Sequence, residues 1–386
     1  MTGTGAEAPA ARPAGQVGGL SLAALAWGWR DRILADARFQ RVTARLPLVG
    51  GVARREAARL FDICAGFIYA QTLSACVSLD LFEFLAGRRV SLTEIAARCD
   101  LPERGAEALL EAACALRLLS VGRDGRYGLG MLGAALRGNP GISAMVRHHA
   151  ALYADLRDPV AVLREGGAGL GAIWPYARAG AADGAGAGAG DSGPYTALMA
   201  ASQPMIADAV LACVSFGRFE HLLDVGGGSG RFVEAVGRAW PGLRLSLLDL
   251  PEVAAAAEAR LAASGMGARV RCLGGNFRAG SLPRGADLIS FIRVLHDHDD
   301  SVVADLLARA RAALPDHGAV LVAEPMADEP RAAAYFSVYL RAMGSGRPRR
   351  ARRLAAMLRA AGFGRVRQLR GPMPLLTRVI VADCKS

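Results

Sequence analysis

The strongest constraint on the fold is the string LLDVGGGSGRF at residues 222–232. The apolar residues before Asp224 predict a strand that ends near this acid. Gly226, Gly228 and Gly230 predict a turn that takes positive φ angles and presents bare backbone to a ligand. A helix is expected to begin near Gly230. The turn therefore joins a strand to a helix and leaves space against its main chain.

The spacing of these glycines argues against the common phosphate-binding loops. A dinucleotide loop needs its third glycine at the position of Arg231, and a Walker loop needs Gly-Lys-Ser or Gly-Lys-Thr, which the sequence lacks. Asp249 follows Gly230 by 19 positions and closes the apolar run LRLSLLDL. A carboxylate at that place can accept both hydroxyls of a ribose. The two features together predict a site for S-adenosylmethionine.

Further strands follow in the same rhythm. Short apolar runs occupy 270–276, 286–295 and 319–326, and turn residues or amphipathic stretches such as SVVADLLARARAAL separate them. This alternation predicts an α/β fold, a parallel Rossmann-like sheet covered by helices. Ligands of such sheets bind at the carboxyl ends of the strands. The polar residues expected at that edge are Asp224, Asp249, Asn276, His296 and Glu324.

Length and composition favour a two-domain protein of the cytoplasm. The chain has 386 residues, enough for two domains, and seven cysteines. None of the cysteines forms a C-x-x-C pair, so the pattern is typical of reduced thiols and argues against a zinc site. The N-terminus lacks a secretory pattern, and the apolar run at 20–29 is too short to span a bilayer. We therefore expect a protein that is neither exported nor membrane-spanning.

The basic charge is concentrated in two places. The formal net charge is +11, and arginines gather in the first sixty residues and again at 347–353. The first group is interleaved with apolar residues and with Trp27 and Trp29, as in a helix that lies on an anionic membrane. A solvated helix face explains the same pattern, so peripheral contact with the inner membrane stays one of two interpretations.

The sequence divides into four regions. We predict a disordered and basic amphipathic leader at 1–50 and a winged-helix dimerisation domain at 51–140. Connecting, substrate-lining helices follow at 141–216 with a flexible Gly/Ala loop at 177–193, and the methyltransferase domain occupies 217–386. The apolar segment 61–86 predicts two nearly all-buried helices of an interlocked homodimer.

A winged helix also raises the possibility of DNA binding. The candidate recognition helix carries Arg104 and Arg117 against Glu107 and Glu111, so its exposed face is nearly neutral. It also lacks the Asn, Gln and Arg cluster that reads base edges. We therefore interpret the module as a dimerisation platform and expect no nucleic-acid partner.

The segment LHDHDD places His296 and Asp297 just after a buried strand. Methyl transfer from a sulfonium is an in-line displacement, in which positioning of the acceptor can contribute about 7 to 11 kcal/mol. An imidazole can accept the proton as the acceptor oxygen loses it, and Glu324 on the next strand can orient the ring. No His, Cys, Asp or Glu grouping has metal-ligand spacing, so we predict a metal-free reaction.

From about Ala57 onward the chain resembles the dimeric class I O-methyltransferases of the caffeate and acetylserotonin type. The matching motifs are LLDVGGGSG, LLDLPEV, GNF, VLHDHDD and VAEP. The resemblance implies a winged-helix dimerisation domain, a Rossmann-like domain, His296 as general base, and Glu324 and Asp297 beside it. The cofactor residues it implies are Asp224, Gly226, Gly228, Gly230, Asp249, Leu250, Asn276, Phe277 and Arg293.

Within that family, the segments 61–86, 138–160, 173–177 and 336–349 look most like the carotenoid O-methyltransferases of phototrophic bacteria. Those enzymes methylate the tertiary C1 hydroxyl of acyclic hydroxycarotenoids in spheroidene and spirilloxanthin synthesis. The substrate-lining residues expected here are His148, Tyr153, Trp174, Tyr195, Met199 and Met343.

Three positions depart from the family pattern. Asn276 stands in place of an acid, and His298 stands in place of a tryptophan. Arginine and proline at 347–350 replace a second glutamate. The last departure leaves the orienting role to Glu324 alone and argues against a plant-like phenolic site. The alternative acceptors are a phenolic or polyketide hydroxyl and a carbon of a bacteriochlorophyll ring. A winged-helix regulator that responds to S-adenosylmethionine is the non-enzymatic alternative.

Overall fold

The computed structural model describes residues 22–46, 50–173 and 193–385. Three predictions fall outside the described residues: the first part of the leader predicted to be disordered, Trp174, and almost all of the predicted Gly/Ala loop. The side chains of Tyr195 and Met199 are not described either. Two compact units divide the chain between Gln71 and Thr72. The predicted domain boundaries at 50, 140 and 216 stay predictions.

The first unit is helical. It contains α1 (Leu22–Ala35), α2 (Ala37–Arg45) and most of α3 (Gly50–Ser78). Asp36 caps α2, because its carboxylate accepts the backbone N–H groups of Arg38 and Phe39 at 2.6 and 2.9 Å. The predicted leader therefore contains helix from Leu22 onward.

Helix α3 corrects one prediction. Instead of two nearly all-buried helices over 61–86, the structure has one helix of 29 residues followed by the short α4 (Leu81–Phe84). The chain turns only at Asp80, whose φ is +50°. Several apolar side chains of α3 are exposed in the single chain, namely Leu60, Phe61, Ile63, Phe67 and Ile68.

Length and composition alone would allow α3, among the described helices, to cross a membrane. A helix whose apolar surface packs against a partner subunit meets the same criterion, because both environments reward apolar side chains. The expectation that the chain does not span a membrane stays a prediction.

The predicted winged helix is present in the second unit. Helices α5 (Leu92–Cys99) and α6 (Glu103–Ala115) precede the antiparallel hairpin of β1 (Leu119–Val121) and β2 (Tyr127–Leu129). A capping box between Ser91 and Glu94 begins α5. Ile95 and Leu110 pack in the core of this module, which is therefore stabilised by its own apolar cluster.

Helices follow the hairpin before the sheet begins. They are α7 (Met131–Arg137), α8 (Pro140–Asp155), α9 (Pro159–Glu165), α10 (Ala168–Ile173) and α11 (Gly193–Leu211). Helix α8 contacts α11 and also α15 (Pro330–Met343), which comes much later in the chain. These contacts place three helices from distant parts of the sequence around one space.

A seven-stranded sheet forms the larger part of the second unit. Its order is β5-β4-β3-β6-β7-β9-β8, and all neighbours are parallel except those of β9, which is antiparallel to β7 and β8. The strands are β3 (His221–Val225), β4 (Arg244–Asp249), β5 (Val270–Gly274), β6 (Leu288–Ile292), β7 (Ala319–Glu324), β8 (Val366–Leu369) and β9 (Arg378–Asp383). The covering helices are α12 (Arg231–Ala239), α13 (Pro251–Ala263), α14 (Asp300–Ala313) and α16 (Ala351–Ala360).

The strand order explains where a ligand can bind. Strand β3 has β4 on one side and β6 on the other, so successive connections leave it in opposite directions. A crevice forms at such a switch point, outside the carboxyl ends of the strands. The α/β class and the Rossmann-like sheet predicted from the sequence are confirmed.

Candidate active site

The glycine turn after β3 has the predicted conformation. Gly226, Gly228 and Gly230 have φ values of +71°, +55° and +74°. A Cβ on Gly226 would lie 2.7 Å from a methyl group of Val294, whereas a Cβ on Gly228 would meet no atom within 4 Å. The turn therefore packs tightly at its first glycine and opens onto free space at its second.

Two carboxylates lie beside this turn. Asp249, at the end of β4, accepts the N–H of Gly228 and the N–H of Leu250, both at 2.8 Å. Asp224 is buried in β3, and its Oδ1 accepts a hydrogen bond of 2.6 Å from Ser290. Its Oδ2 has no hydrogen-bond partner among the described residues. An acceptor atom without a donor therefore lies under the glycine turn.

Burial changes the acidity of Asp224. It raises the pKa of this carboxyl to about 7, the Ser290 hydrogen bond opposes the rise, and the charge of Asp249 adds to it. At neutral pH the group is therefore divided between its two protonation states.

The turn and the two acids fit S-adenosylmethionine. The open main chain at Gly228 leaves room for a ligand, and Asp249 stands where a ribose can be held. The carboxyl of Asp224 offers negative charge to a cofactor that carries a net positive charge.

Asn276 and Phe277 follow β5 at the same edge of the sheet. The side-chain Oδ1 of Asn276 accepts the backbone N–H of Arg278 at 2.9 Å, and this bond stabilises the turn. The Phe277 ring is buried and meets His298 edge to face at 5.7 Å. His298, which stands in the place of the family tryptophan, therefore packs against Phe277, one of the cofactor residues that the resemblance implies.

His296, Asp297 and Glu324 come together as the sequence predicts. The His296 Nε2 atom lies 3.2 Å from Asp297 Oδ1, and Nδ1 lies 3.6 Å from Glu324 Oε2. Glu324 also accepts the backbone N–H of His296 at 3.0 Å. Burial raises the pKa of Asp297, whereas the nearby charges of His296 and Arg293 act in the opposite direction. The imidazole is thus bracketed by two buried acids.

The segment 345–349 holds the turn that carries His296, and we call this segment the clamp. It donates hydrogen bonds to four successive carbonyl oxygens, those of residues 295 to 298: Arg349 bonds the first and the last, Arg347 N–H the second and the Ser345 hydroxyl the third. Arg349 is 2% exposed. This is the stretch in which arginine and proline replace the second family glutamate, and its structural role is not visible in the sequence.

Arg349 also forms an ion pair with Asp300, at 2.7 Å. Although burial acts in the opposite direction, hydrogen bonds from Arg347 and Arg349 lower the pKa of Asp300 to about 2. The pair keeps a negative charge at the start of α14, where a helix favours it.

A cavity of about 480 Å³ lies next to His296. Its walls come from α8, α11, α15 and the loop 372–376, and most of the lining side chains are apolar. The lining residues include Ile142, Met145, Met205, Tyr335, Phe336, Tyr339 and Leu375, together with Arg293, His296 and Asp297. The cavity therefore suits an apolar molecule that presents one polar group to the histidine.

The aromatic side of the cavity was not predicted. Tyr335 and Tyr339 stack with ring centres 5.5 Å apart, and Phe336 meets His296 edge to face at 5.9 Å. The i, i+1 and i+4 spacing of these rings on α15 was the available signal. His148 and His149 bond the hydroxyls of Tyr339 and Tyr335 at 2.9 and 2.8 Å.

The predicted substrate residues have three different positions. His148 lies behind the lining ring of Tyr339, and Tyr153 packs edge to face on His149. Met343 is buried in an apolar cluster with Leu152 and the lining residue Tyr339, but it is not itself among the lining residues. The roles of these side chains in substrate binding stay predictions.

Arg293 follows β6 and lines the cavity. It has a left-handed backbone, with φ of +58°, and its guanidinium donates to the Ser202 hydroxyl at 2.8 Å. A strained non-glycine residue at a strand end is typical of a functional position. Arg293 also contributes positive charge near Asp297.

Comparison with known proteins decides the family. An O-methyltransferase domain matches residues 153–364, and an O-methyltransferase dimerisation domain matches residues 61–137. The chain belongs to the O-methyltransferase family. It uses S-adenosylmethionine as the methyl donor, and the dimerisation domain indicates that this O-methyltransferase forms a homodimer.

Two relatives are similar to the O-methyltransferase over most of its length. The demethylspheroidene O-methyltransferase of Cereibacter sphaeroides is 42% identical over 338 residues, which cover 86% of each chain. That of Rhodobacter capsulatus is 39% identical and covers 91% of this chain and 88% of the relative. The predicted resemblance to bacterial carotenoid O-methyltransferases is confirmed.

A solved structure supports the fold. The S-adenosylmethionine-dependent methyltransferase SibL, in its apo form, is 28% identical with a TM-score of 0.71 and covers 85% of this chain and 99% of that one. Among the described residues no group of three or more His, Cys, Asp or Glu could hold a metal ion. Metal-free catalysis by the O-methyltransferase stays a prediction.

Proposed function

We propose that this O-methyltransferase methylates the tertiary C1 hydroxyl of an acyclic hydroxycarotenoid, and that His296 is the general base. The observation that carries the proposal is the apolar cavity, whose main polar groups are Arg293, His296, Asp297 and Ser202. The substrates named for the two similar bacterial enzymes agree with such a cavity. A catechol or a polyketide would bring more polar groups into a lining that is mostly apolar, which raises the desolvation cost of binding.

The cavity volume sets how much of the substrate it can hold. A space of about 480 Å³ is suited to a ligand of drug size. A long polyene chain exceeds it, so the hydroxyl-bearing end enters and the remainder extends outward. The rings of Tyr335, Phe336 and Tyr339 would pack against the branched end of that chain.

The residues of the site form two groups, one that would hold the cofactor and one that would accept the proton. The glycine turn, Asp224 and Asp249 would hold the cofactor, which supplies a methyl group on a positively charged sulfur. His296 Nε2 would take the proton of the substrate hydroxyl as its oxygen becomes methylated. The resulting imidazolium would be stabilised by Asp297 on one side and Glu324 on the other.

A tertiary alcohol has no acidity that an imidazole could exploit in advance, so positioning must dominate. The clamp, the Glu324 bond to the His296 main chain and the packed ring of Phe336 all limit motion of the base. Orientation of this kind can contribute about 7 to 11 kcal/mol, and proton acceptance roughly a hundred- to ten-thousandfold in rate.

Three acceptors test the proposal. The purified enzyme is incubated with labelled S-adenosylmethionine and, separately, with an acyclic C1-hydroxycarotenoid in detergent, a catechol and a bacteriochlorophyllide. We expect label in the carotenoid ether. Transfer to the catechol or to the bacteriochlorophyllide ring, with none to the carotenoid, would overturn the substrate assignment and leave the family assignment in place.

The proposed substrate also bears on location. A carotenoid is dissolved in a membrane, so we propose a cytoplasmic homodimer that works at the surface of the inner membrane. The basic segment at 22–46 supports this location.

A further inference from the structure

Helix α2 presents two parallel stripes of different chemistry. Phe39, Val42 and Leu46 follow one another at i, i+3 and i+7, and their exposed fractions are 40%, 58% and 45%. Arg38 and Arg41 repeat with the same spacing along the adjacent side of the helix. An apolar stripe exposed to water beside a basic one is the signature of a helix that lies in a membrane interface.

Helix α1 adds tryptophans to the same unit. Trp27 and Trp29 are 58% and 70% exposed, and the guanidinium of Arg30 lies 4.0 Å from the centre of a Trp27 ring. Tryptophan and arginine both favour the boundary between lipid headgroups and acyl chains. The exposed apolar side chains of α1 and α2 therefore have the composition of an interfacial anchor.

Charge selects the partner. Residues 22–46 contain five arginines and two aspartates. A second copy of this face would carry the same excess of positive charge and would repel it. The segment also precedes residue 61, where the match to the dimerisation domain begins. An anionic surface satisfies both stripes at once.

We propose that α1 and α2 form a docking surface for an anionic lipid bilayer, with Phe39, Val42 and Leu46 inserted and the neighbouring arginines on the headgroups. Each arginine near such a surface should strengthen binding by about fivefold. This deepens the membrane location proposed above by naming the surface that binds, and it holds whichever hydroxyl the enzyme methylates.

Vesicle flotation with the full chain tests the proposal. The vesicles are phosphatidylcholine alone or with about 30% phosphatidylglycerol, at salt concentrations of about 0.1 M and 0.5 M. We expect binding to the mixed vesicles at the lower salt. The bound fraction should fall at least about fivefold at the higher salt or without the anionic lipid. Absence of binding to the mixed vesicles, or equal binding to neutral ones, would overturn the proposal.

A matched pair of variants locates the surface. Phe39→Asp with Val42→Asp should weaken binding by at least about tenfold, because two apolar side chains leave the lipid. Val160→Asp with Leu163→Asp makes the same changes at i and i+3 on α9, where the side chains are 50% and 59% exposed, and should leave binding unchanged. Equal loss in both pairs would place the contact elsewhere and refute the assignment to α2.

Two further measurements distinguish a lipid-binding surface from a subunit interface. Both variant pairs should keep the wild-type dimer in light scattering and the wild-type melting temperature. A shift of the α2 pair to monomer would show that a second copy covers this face and would overturn the proposal. Activity on detergent-dispersed substrate should also stay at the wild-type level, so a failed lipid experiment leaves the proposed reaction intact.

Discussion

The unusual acidity of Asp224 leads to a prediction about stability. A buried carboxyl that titrates at about pH 7 is ionised at pH 8 only at a cost in folding free energy. In the unfolded chain an aspartate titrates near 3.9, and each pKa unit corresponds to about 1.4 kcal/mol. The cost at pH 8 is therefore about 4 kcal/mol, and Asp224→Asn removes it.

The sign follows from proton binding. At pH values between the pKa of Asp224 in the unfolded chain and its pKa in the folded chain, the folded state holds one proton more than the unfolded state. The free energy of unfolding of the wild type therefore falls as pH rises. The Asn amide has no proton to lose, although its N–H₂ group adds a constant cost of about 1 to 3 kcal/mol if it lacks an acceptor. The difference between variant and wild type should therefore shift by about 2 to 3 kcal/mol in favour of the variant from pH 5 to pH 8.

Urea unfolding of the cofactor-free protein, at one fixed protein concentration and at pH 5, 6, 7 and 8, measures this difference. Ser290→Ala is the control with the opposite effect, since it removes the 2.6 Å hydrogen bond that favours the ionised carboxyl. The reasoning is refuted if the difference for Asp224→Asn is the same at every pH.

The same variant should bind its cofactor more weakly. S-adenosylmethionine is a cation, so loss of the Asp224 charge should reduce affinity more at pH 8, where the wild type is ionised, than at pH 6. Calorimetric titration at the two pH values measures this. Equal losses would show that the carboxyl does not act through its charge.

Three other substitutions have distinct expected effects. His296→Gln should lower kcat by at least about a hundredfold with unchanged cofactor affinity in calorimetry, and wild-type turnover would exclude the base assignment. Asp249→Asn should weaken cofactor binding by at least about tenfold, because one charge-assisted acceptor is lost, and unaltered affinity would contradict the ribose role. Arg349→Met should lower kcat while KM stays close to that of the wild type, because Arg349 positions the turn without touching the substrate. Arg349→Lys should restore part of the lost kcat. A rise in KM with unchanged kcat would contradict this positioning role.

The sequence predicted those parts of the site that local patterns determine. Strand ends, the glycine turn and its positive φ angles depend on neighbouring residues, so Asp224, Asp249 and His296 could be assigned to one sheet edge from the sequence alone. The approach of Glu324 to His296 followed from parallel pairing of β6 and β7.

The parts that failed depend on contacts between distant segments. The stacked rings of Tyr335 and Tyr339 line the cavity because α15 packs on α8. The local sequence of either helix does not predict that the two helices pack together. Met343, one turn further on, is buried in the apolar cluster behind these rings, which includes Tyr339, and does not line the cavity. Burial of the apolar side chains of α3 in a homodimer stays a prediction, because they are exposed in the single chain and an apolar segment has the same sequence pattern whether its own chain or a partner subunit covers it.

Gly346 has a consequence for engineering. Its φ is +80°, and a Cβ there would lie 2.2 Å from the carbonyl oxygen of His296, although the two residues are fifty positions apart in the sequence. Neither segment of this junction can accept a foreign sequence alone. Chimeras that exchange acceptor specificity between relatives should therefore import residues 295–300 and 344–350 together, or the transplanted histidine will arrive without its support.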